Sequence, residues 1–399
     1  MGLNETVSGE RVHIGFFGLR NAGKSSLVNA ITGQKLSVVS DVRGTTTDPV
    51  KKAMELLPIG PVVIIDTPGI DDEGELGQMR AERARQTLTH TDIAVLVRDA
   101  TAKETPAERQ LVAIFEEKGI PFITALNKSD LSVEMSAAAE SEIYVSAKTG
   151  ENINVLKDKI GALAGKATVE RHIIADLVKR GDAVVLVIPV DAAAPKGRII
   201  LPQQQTLREL LDCGCTAVCC QVSELEATLG NLNKTPRMVV TDSRAFGRVS
   251  EIVPQSTALT SFSILFARYK GDLAVLTRGA KRLETLNDGD RVLISEGCTH
   301  HRQCGDIGTQ KLPAWIRKFS GSQPQFEFTS GGEFPENLSG YALAVHCGGC
   351  MLNAREMQSR ISRAEEQGIP IVNYGVAIAH MHGILRRSLS VFPDIQNIL

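Results

Sequence analysis

The stretch "GLRNAGKS", Gly18 to Ser25, grows directly out of the apolar run "RVHIGFFG", and nothing else in the chain limits its fold so tightly. The run reads as a buried strand, and the GxxxxGK[ST] spacing reads as a loop closing between that strand and a helix. Glycines Gly18 and Gly23 let backbone amides surround phosphate oxygens. Lys24 reaches the β and γ phosphates, the Ser25 hydroxyl can hold Mg²⁺, and Ser26 follows in the first helical turn. A loop of this kind needs a parallel sheet behind it, so the first domain is expected to be α/β.

Three further segments follow in a fixed order. "VVIIDTPG" places Asp66 at the end of another strand, where a carboxylate can hold Mg²⁺ through water, and Gly69 offers a backbone amide to the γ phosphate. "FITALNKSD" places Asn127, Lys128 and Asp130 at a third strand end. A carboxylate there can accept both the N1–H and the 2-amino group of guanine, donors that adenine lacks at that edge. "YVSAKTG" supplies Ser146, Ala147 and Lys148 to close over the base. Each motif falls at a carboxyl strand end, where open α/β sheets bind ligands. Residues 1–168 therefore read as a P-loop domain that binds and hydrolyses GTP with Mg²⁺.

The chemistry is expected to rest on Lys24, Thr46, Asp66 and Gly69. Thr46, in "DVRGTTTDP", would be the second Mg²⁺ hydroxyl beside Ser25. The residue after "DTPG" is Ile70, which cannot orient a water, so that role falls to Glu73, Glu75 or a bound cation. The segment resembles bacterial GTPases of the tRNA-modification and ribosome-assembly group. In some of those an asparagine at the position of Asn21 helps to hold K⁺. That likeness implies a K⁺ site here, against the simpler reading in which Asn21 only stabilises the loop.

Residues 169–270 continue the alternation of strand and helix. "DAVVLVIPV", "TAVCCQV" and "RMVVTD" read as strands, and "QQTLRELLDCG" and "VSELEATLGNL" as helices. The cysteines at 213, 215, 219 and 220 suggest a metal at first sight. Cys219 and Cys220 are adjacent in a strand, however, and so face opposite ways. They are expected to pack as small hydrophobes, in a scaffold or oligomerisation domain.

Residues 271–399 hold a different pattern. A strand at 291–295 runs out just before Cys298 and His300, and a second ends at His346 and Cys347, with Cys350 at the start of a helix from about Met351. If the strands are parallel neighbours, Cys298, Cys347 and Cys350 meet at one carboxyl edge. Tetrahedral zinc on Cys298, His300, Cys347 and Cys350 satisfies that spacing. So does an iron–sulfur cluster on three cysteines, its fourth position taken by His300, His346, Asp306, Cys304 or an outside ligand. His380 and His382 read as surface or packing residues.

A GTPase domain followed by CxH, 45 intervening residues and HCxxC resembles the iron–iron hydrogenase maturation GTPase family, HydF. That resemblance implies a P-loop GTPase domain followed by two smaller α/β domains, one for dimerisation and one for the metallocluster. It further implies a 4Fe–4S cluster on Cys298, Cys347 and Cys350, with His300 or His346 as fourth ligand or beside it. The family acts as scaffold and carrier for the di-iron subcluster of the hydrogenase, with two radical S-adenosylmethionine maturases and the apo-hydrogenase as partners.

Two other readings compete. An RNA- or ribosome-associated GTPase with structural zinc lacks support in the last domain, which shows no basic, aromatic-interleaved surface. A net charge of −2 gives the chain no global attraction to nucleic acid or anionic membrane. A redox enzyme would want a complete four-cysteine cage. No run approaches 18 apolar residues and the first residues show no signal-peptide pattern, while "MGLNET" fits a myristoylation site only loosely. A cytoplasmic location is expected.

Overall fold

The computed structural model describes residues 8–34, 49–70, 83–132, 139–167, 171–190, 199–297 and 307–395. They fall into two compact units, Met1–Glu170 and Arg171–Leu399.

The first unit is built on strands β1 (Val12–Phe17), β2 (Val50–Leu56), β3 (Gly60–Asp66), β4 (Ile93–Asp99), β5 (Phe122–Asn127) and β6 (Glu142–Tyr144). Their order is β2-β3-β1-β4-β5-β6, with only β2 antiparallel to its neighbour. Central strands of a parallel sheet are covered on both faces and so read as unbroken apolar runs. In β4, Ile93, Val95 and Val97 pack into one layer with Ile14 and Leu27, while Ala94 and Leu96 enter the other with Phe17 and Phe115. β2 has one covered face at most, and its residues are largely exposed. The helix Pro106–Glu117 begins where Thr105 and Glu108 form a reciprocal capping box and Pro106 takes the first turn.

The second unit contains two four-stranded sheets, each parallel throughout. One has the order β10-β9-β7-β8, from β7 (Ala183–Val187), β8 (Thr216–Cys220), β9 (Met238–Thr241) and β10 (Ala258–Ser261). The other has the order β12-β11-β13-β14, from β11 (Arg291–Glu296), β12 (Gln325–Ser330), β13 (Leu343–His346) and β14 (Ile371–Asn373). A single apolar core runs through both, from Ile173 to Phe392. In each sheet the strand order reverses beside its first strand, and crevices form at the carboxyl end of such points. In the second sheet that point lies between β11 and β13.

The expected strands are present with these bounds. Cys215 lies in the core and Cys213 and Cys220 pack against it, as small hydrophobes should, whereas Cys219, facing away from Cys220, is exposed and does not pack. The helix expected from Met351 instead spans Ala354–Glu366. Asn353 sets the start, because its side chain accepts from the Glu356 amide at 3.1 Å and a short polar cap outcompetes the apolar residues before it. Cys350 therefore lies in the loop ahead of the helix and not at its start.

The helix Leu273–Ala280 touches β14 through Gly279, where a Cβ would stand 2.0 Å from the Ile371 carbonyl oxygen. Gly279→Ala is expected to destabilise the second unit by about 3 kcal/mol, since backbone cannot yield as a side chain would. Calorimetry reads this as a lowered second-unit transition, with the nucleotide-stabilised transition of the first unit in place.

Candidate functional site

At the first sheet's carboxyl edge, Gly18 has φ +143°, and a Cβ there would lie 2.2 Å from the Val97 carbonyl oxygen. Gly23, at φ +90°, would meet the Asn127 amide nitrogen at 2.2 Å. The loop can follow this path only with glycine at both places. Asn21 takes a left-handed φ of 61° without being glycine. Lys24 is buried and donates from Nζ to the carbonyls of Gly18 and Leu19 at 3.0 and 2.8 Å, which holds it under the loop. Ser26 is half-buried in the same helix.

The pairing of Phe16 with Asp66 brings β3 to the start of the loop. Ser25 Oγ donates to Asp66 Oδ2 at 2.6 Å, and Asp66 Oδ1 is buried with no hydrogen-bond partner. A hydroxyl and an orphaned carboxylate oxygen side by side suit a hard divalent cation such as Mg²⁺. Beyond them the chain passes so close that a Cβ on Gly69 would lie 2.7 Å from Arg20 Cα. Ile70 is buried against Phe17, as an apolar anchor at that position should be.

Asn127 joins two loops, donating to the Ala22 carbonyl at 3.0 Å and accepting from the Ala147 amide at 3.1 Å. Lys128, at φ 67°, reaches Asp99 at 2.6 Å. Burial pushes the Asp99 carboxyl up, but its bonds to Lys128 and Thr101 outweigh this and hold it below the usual range. Asp130 is exposed and its Oδ1 accepts from Ser146 Oγ at 2.7 Å, which fixes the carboxylate's direction. Lys148 is exposed. The described P-loop, Asp66, Gly69 and base-loop residues thus share one edge. Thr46, Glu73 and Glu75 lie outside the described residues.

In the second unit β11 and β13 are parallel neighbours, with Ser295 opposite His346. Cys347 follows β13 at the sheet's switch point. Its sulfur accepts from the Gly297 amide at 3.0 Å and the Gly349 amide at 3.4 Å. Burial pushes its thiol up to about 11, against those two amides, with the charges of Cys350 and Glu296 adding to the rise. A bound metal reverses that balance, because a coordinating thiol gives up its proton. Gly349, at φ +60°, makes a tight turn between Cys347 and Cys350.

His346 is fully buried. Its Nδ1 bonds the Cys347 carbonyl at 2.8 Å, and Arg360 donates to its Nε2 at 2.9 Å. Burial first and the Arg360 charge second push its pKa down to about 3, so the ring stays neutral. With both nitrogens engaged, His346 supports the cysteines from below in this arrangement. Arg360 is also bonded to Glu356 and to the Gly331 carbonyl. Cys298, His300, Cys304 and Asp306 lie outside the described residues. Among the described residues no three His, Cys, Asp or Glu side chains converge as a metal site. The donors that are described, two thiols with backbone N–H groups aimed at one sulfur, fit a thiophilic metal group.

Three neighbours of this edge escaped the sequence reading. Arg360 and Lys270 are buried beneath it, and the Glu296 carboxylate accepts from the Tyr374 hydroxyl at 3.3 Å. Only Arg360 had a local signal, through its i,i+4 spacing from Glu356.

Comparison with known proteins divides the chain in three. Residues 13–128 match a family described as 50S ribosome-binding GTPase, 173–271 the hydrogen maturase F dimerization domain, and 274–391 the hydrogen maturase F tetramerization domain. The last description names assembly, which the sequence reading had not assigned to that segment. The tRNA modification GTPase MnmE of Dichelobacter nodosus is 34% identical over 161 residues, covering 39% of this chain and 35% of its own. GTPase Der of Wolinella succinogenes is 33% identical over 165 residues, covering 37% and 35%. The chain thus spans about a third of the length of these relatives. A solved structure titled a probable GTP-binding protein engB aligns at 27% identity and a TM-score of 0.31, over 39% of this chain and 99% of that one. With a GTPase domain at the front and both assembly domains of hydrogen maturase F behind it, the chain belongs to the hydrogen maturase F family.

Proposed function

We propose that this protein is a GTP-hydrolysing iron–sulfur scaffold that assembles or delivers the di-iron subcluster to apo iron–iron hydrogenase. The observation that carries the proposal is the pair Cys347 and Cys350 at the switch point of the last sheet, in a chain of the hydrogen maturase F family. Cys298 would supply the third thiolate. The cluster would be a 4Fe–4S centre with an exchangeable fourth position, for which His300 is the candidate histidine, since both ring nitrogens of His346 are engaged. The chain would act in the cytoplasm as a homodimer able to assemble further, with two radical S-adenosylmethionine maturases as partners.

In the first unit the loop amides and Lys24 would hold the triphosphate, with Ser25, Asp66 and Thr46 around Mg²⁺. Asp130, steadied by Ser146, would read guanine. Asn127 makes the phosphate loop and the base loop move as one piece, so base recognition and phosphate geometry are coupled. Ile70 cannot align the attacking water, which leaves the task to Glu73, Glu75 or a K⁺ held near Asn21. In the second unit the cluster would supply a thiolate-bound iron face on which an iron precursor can dock. Cys347 holds its sulfur toward that face through two amides, and His346, locked by Arg360, fixes the strand end beneath it. GTP hydrolysis would then govern association with partners.

Lys24→Ala should slow GTP hydrolysis by at least about a hundredfold, the effect of losing one transition-state donor, and leave iron content unchanged. Loss of both would show that the two sites are not separable. Replacing Asp130 with asparagine should cut the preference for guanine over xanthine nucleotides by about a hundredfold. Competition binding measures this, and an unaltered preference would remove Asp130 from the base contact. For Cys350→Ser, the low-temperature EPR signal of the reduced, anaerobically reconstituted protein should disappear together with hydrogenase activation, while GTP turnover persists. A silent wild type carrying stoichiometric zinc would instead favour a structural metal.

A further inference from the structure

Lys270 ends the helix Phe262–Lys270 and is 2% exposed. A buried ammonium is costly unless acceptors surround it. Here Nζ donates to the Cys350 carbonyl at 3.1 Å and the Leu352 carbonyl at 2.9 Å, and stands 5.9 Å above the Phe266 ring. The two carbonyls bracket Met351 in the loop between β13 and the helix Ala354–Glu366. That loop is otherwise tied near Cys347, by the Gly297 amide, and across its own turn, where the Leu352 amide donates to the Gly349 carbonyl at 3.0 Å. Lys270 is thus a distant, charged tie on its Cys350 side, 80 residues away in the chain.

Two consequences follow from charge and position. Thiolate ligands make a metal group anionic, and a cation held against the backbone of one ligand favours that charge and any electron added to it. The helix carrying Lys270 lies within the dimerization region, 173–271, whereas the cysteine loop lies in 274–391. The side chain therefore ties the two regions together.

We infer that Lys270 is a positioning residue for the cysteine loop, holding Cys350 in place for its metal and raising the reduction potential of a cluster bound there. The inference rests on the reading of Cys350 as a cluster ligand. A lysine engaging carbonyls acts through charge and donors, both of which arginine keeps and methionine removes at similar length.

The test uses the full chain as wild type, Lys270→Met, Lys270→Arg and Cys350→Ser. Without metal, hydrogen exchange at residues 349–353 should be about tenfold faster in Lys270→Met, from the loss of charged hydrogen bonds, with β13 and β14 unchanged. After anaerobic reconstitution with ferrous iron and sulfide, Lys270→Met should show a more negative midpoint potential and faster loss of iron to a chelator. Lys270→Arg should return both toward wild type. Unchanged exchange and potential in Lys270→Met would overturn the inference. So would a Lys270→Arg protein whose potential falls as far as that of Lys270→Met. If Lys270→Met does not fold, Lys270→Gln takes its place, which also removes the charge, with the same expected and overturning results. A Cys350→Ser protein that keeps its full EPR signal would refute the ligand reading, while metal-free exchange still judges the loop tie.

Discussion

Parallel strand pairing is the constraint on which the rest of this molecule depends. A strand that leaves a parallel sheet must cross over before its neighbour can begin, so each carboxyl edge collects loops from several strands side by side. Here β1 and β3 bring Ser25 to Asp66 in this way, and β5 with β6 brings Asn127 and Asp130 to Ala147 and Ser146. The same geometry in the second unit sets Gly297 against the Cys347 sulfur. Two sites thus use one device, the carboxyl edge of a parallel sheet, where loops from neighbouring strands bring backbone N–H groups and chemistry-bearing side chains together. Phosphate oxygens and a cysteine sulfur both accept from N–H groups, and both favour main chain that glycine leaves uncovered.

What could be read from the sequence was what is local. The phosphate loop, the Asp66 turn and the base loop keep their donors within a few residues, so their spacing alone foretells their geometry. The pairing of β11 with β13 could also be anticipated, because both are short apolar runs ending in chemistry-bearing residues. The helix begins after Asn353 and not at Met351, because a short polar cap three residues before Glu356 fixes its start. The distant partners of Lys270 and Arg360 could not be found that way, although Arg360 has a local one in Glu356. Lys270 meets its carbonyls across 80 residues, and Arg360 meets His346 across 14. In sequence each looks like the solvated face of an amphipathic helix, and only the tertiary packing turns it inward.

The support beneath the cysteines has an energetic logic of its own. Arg360 is buried, carries a charge, and spends its donors on Glu356, the Gly331 carbonyl and His346, while its guanidinium lies 5.3 Å from the centre of the Phe334 ring. Removing one member of such a buried network typically costs about 3–5 kcal/mol, because the others are left uncompensated. A fully apolar layer would be at least as stable. What the network adds is direction: the imidazole can take only one tautomer, and the Cys347 carbonyl that accepts from its Nδ1–H can point only one way. Stability is exchanged for a fixed sulfur position.

The two assembly regions are not beads on a linker. The division between them falls near Gly271, yet that residue is a packed corner where a Cβ would stand 2.9 Å from the Ile361 side chain. One core passes through both regions, and Asn373 at the end of β14 donates to the Ser263 carbonyl at 3.0 Å. Flexible linkers let domains move independently, whereas a continuous core transmits strain because close-packed side chains cannot yield separately. An association that shifts the helix Phe262–Lys270 must therefore move either Lys270 or the carbonyls it holds. Assembly and the geometry of the cysteine loop are consequently one mechanical problem in this chain, and a substitution in either region is expected to be felt in the other.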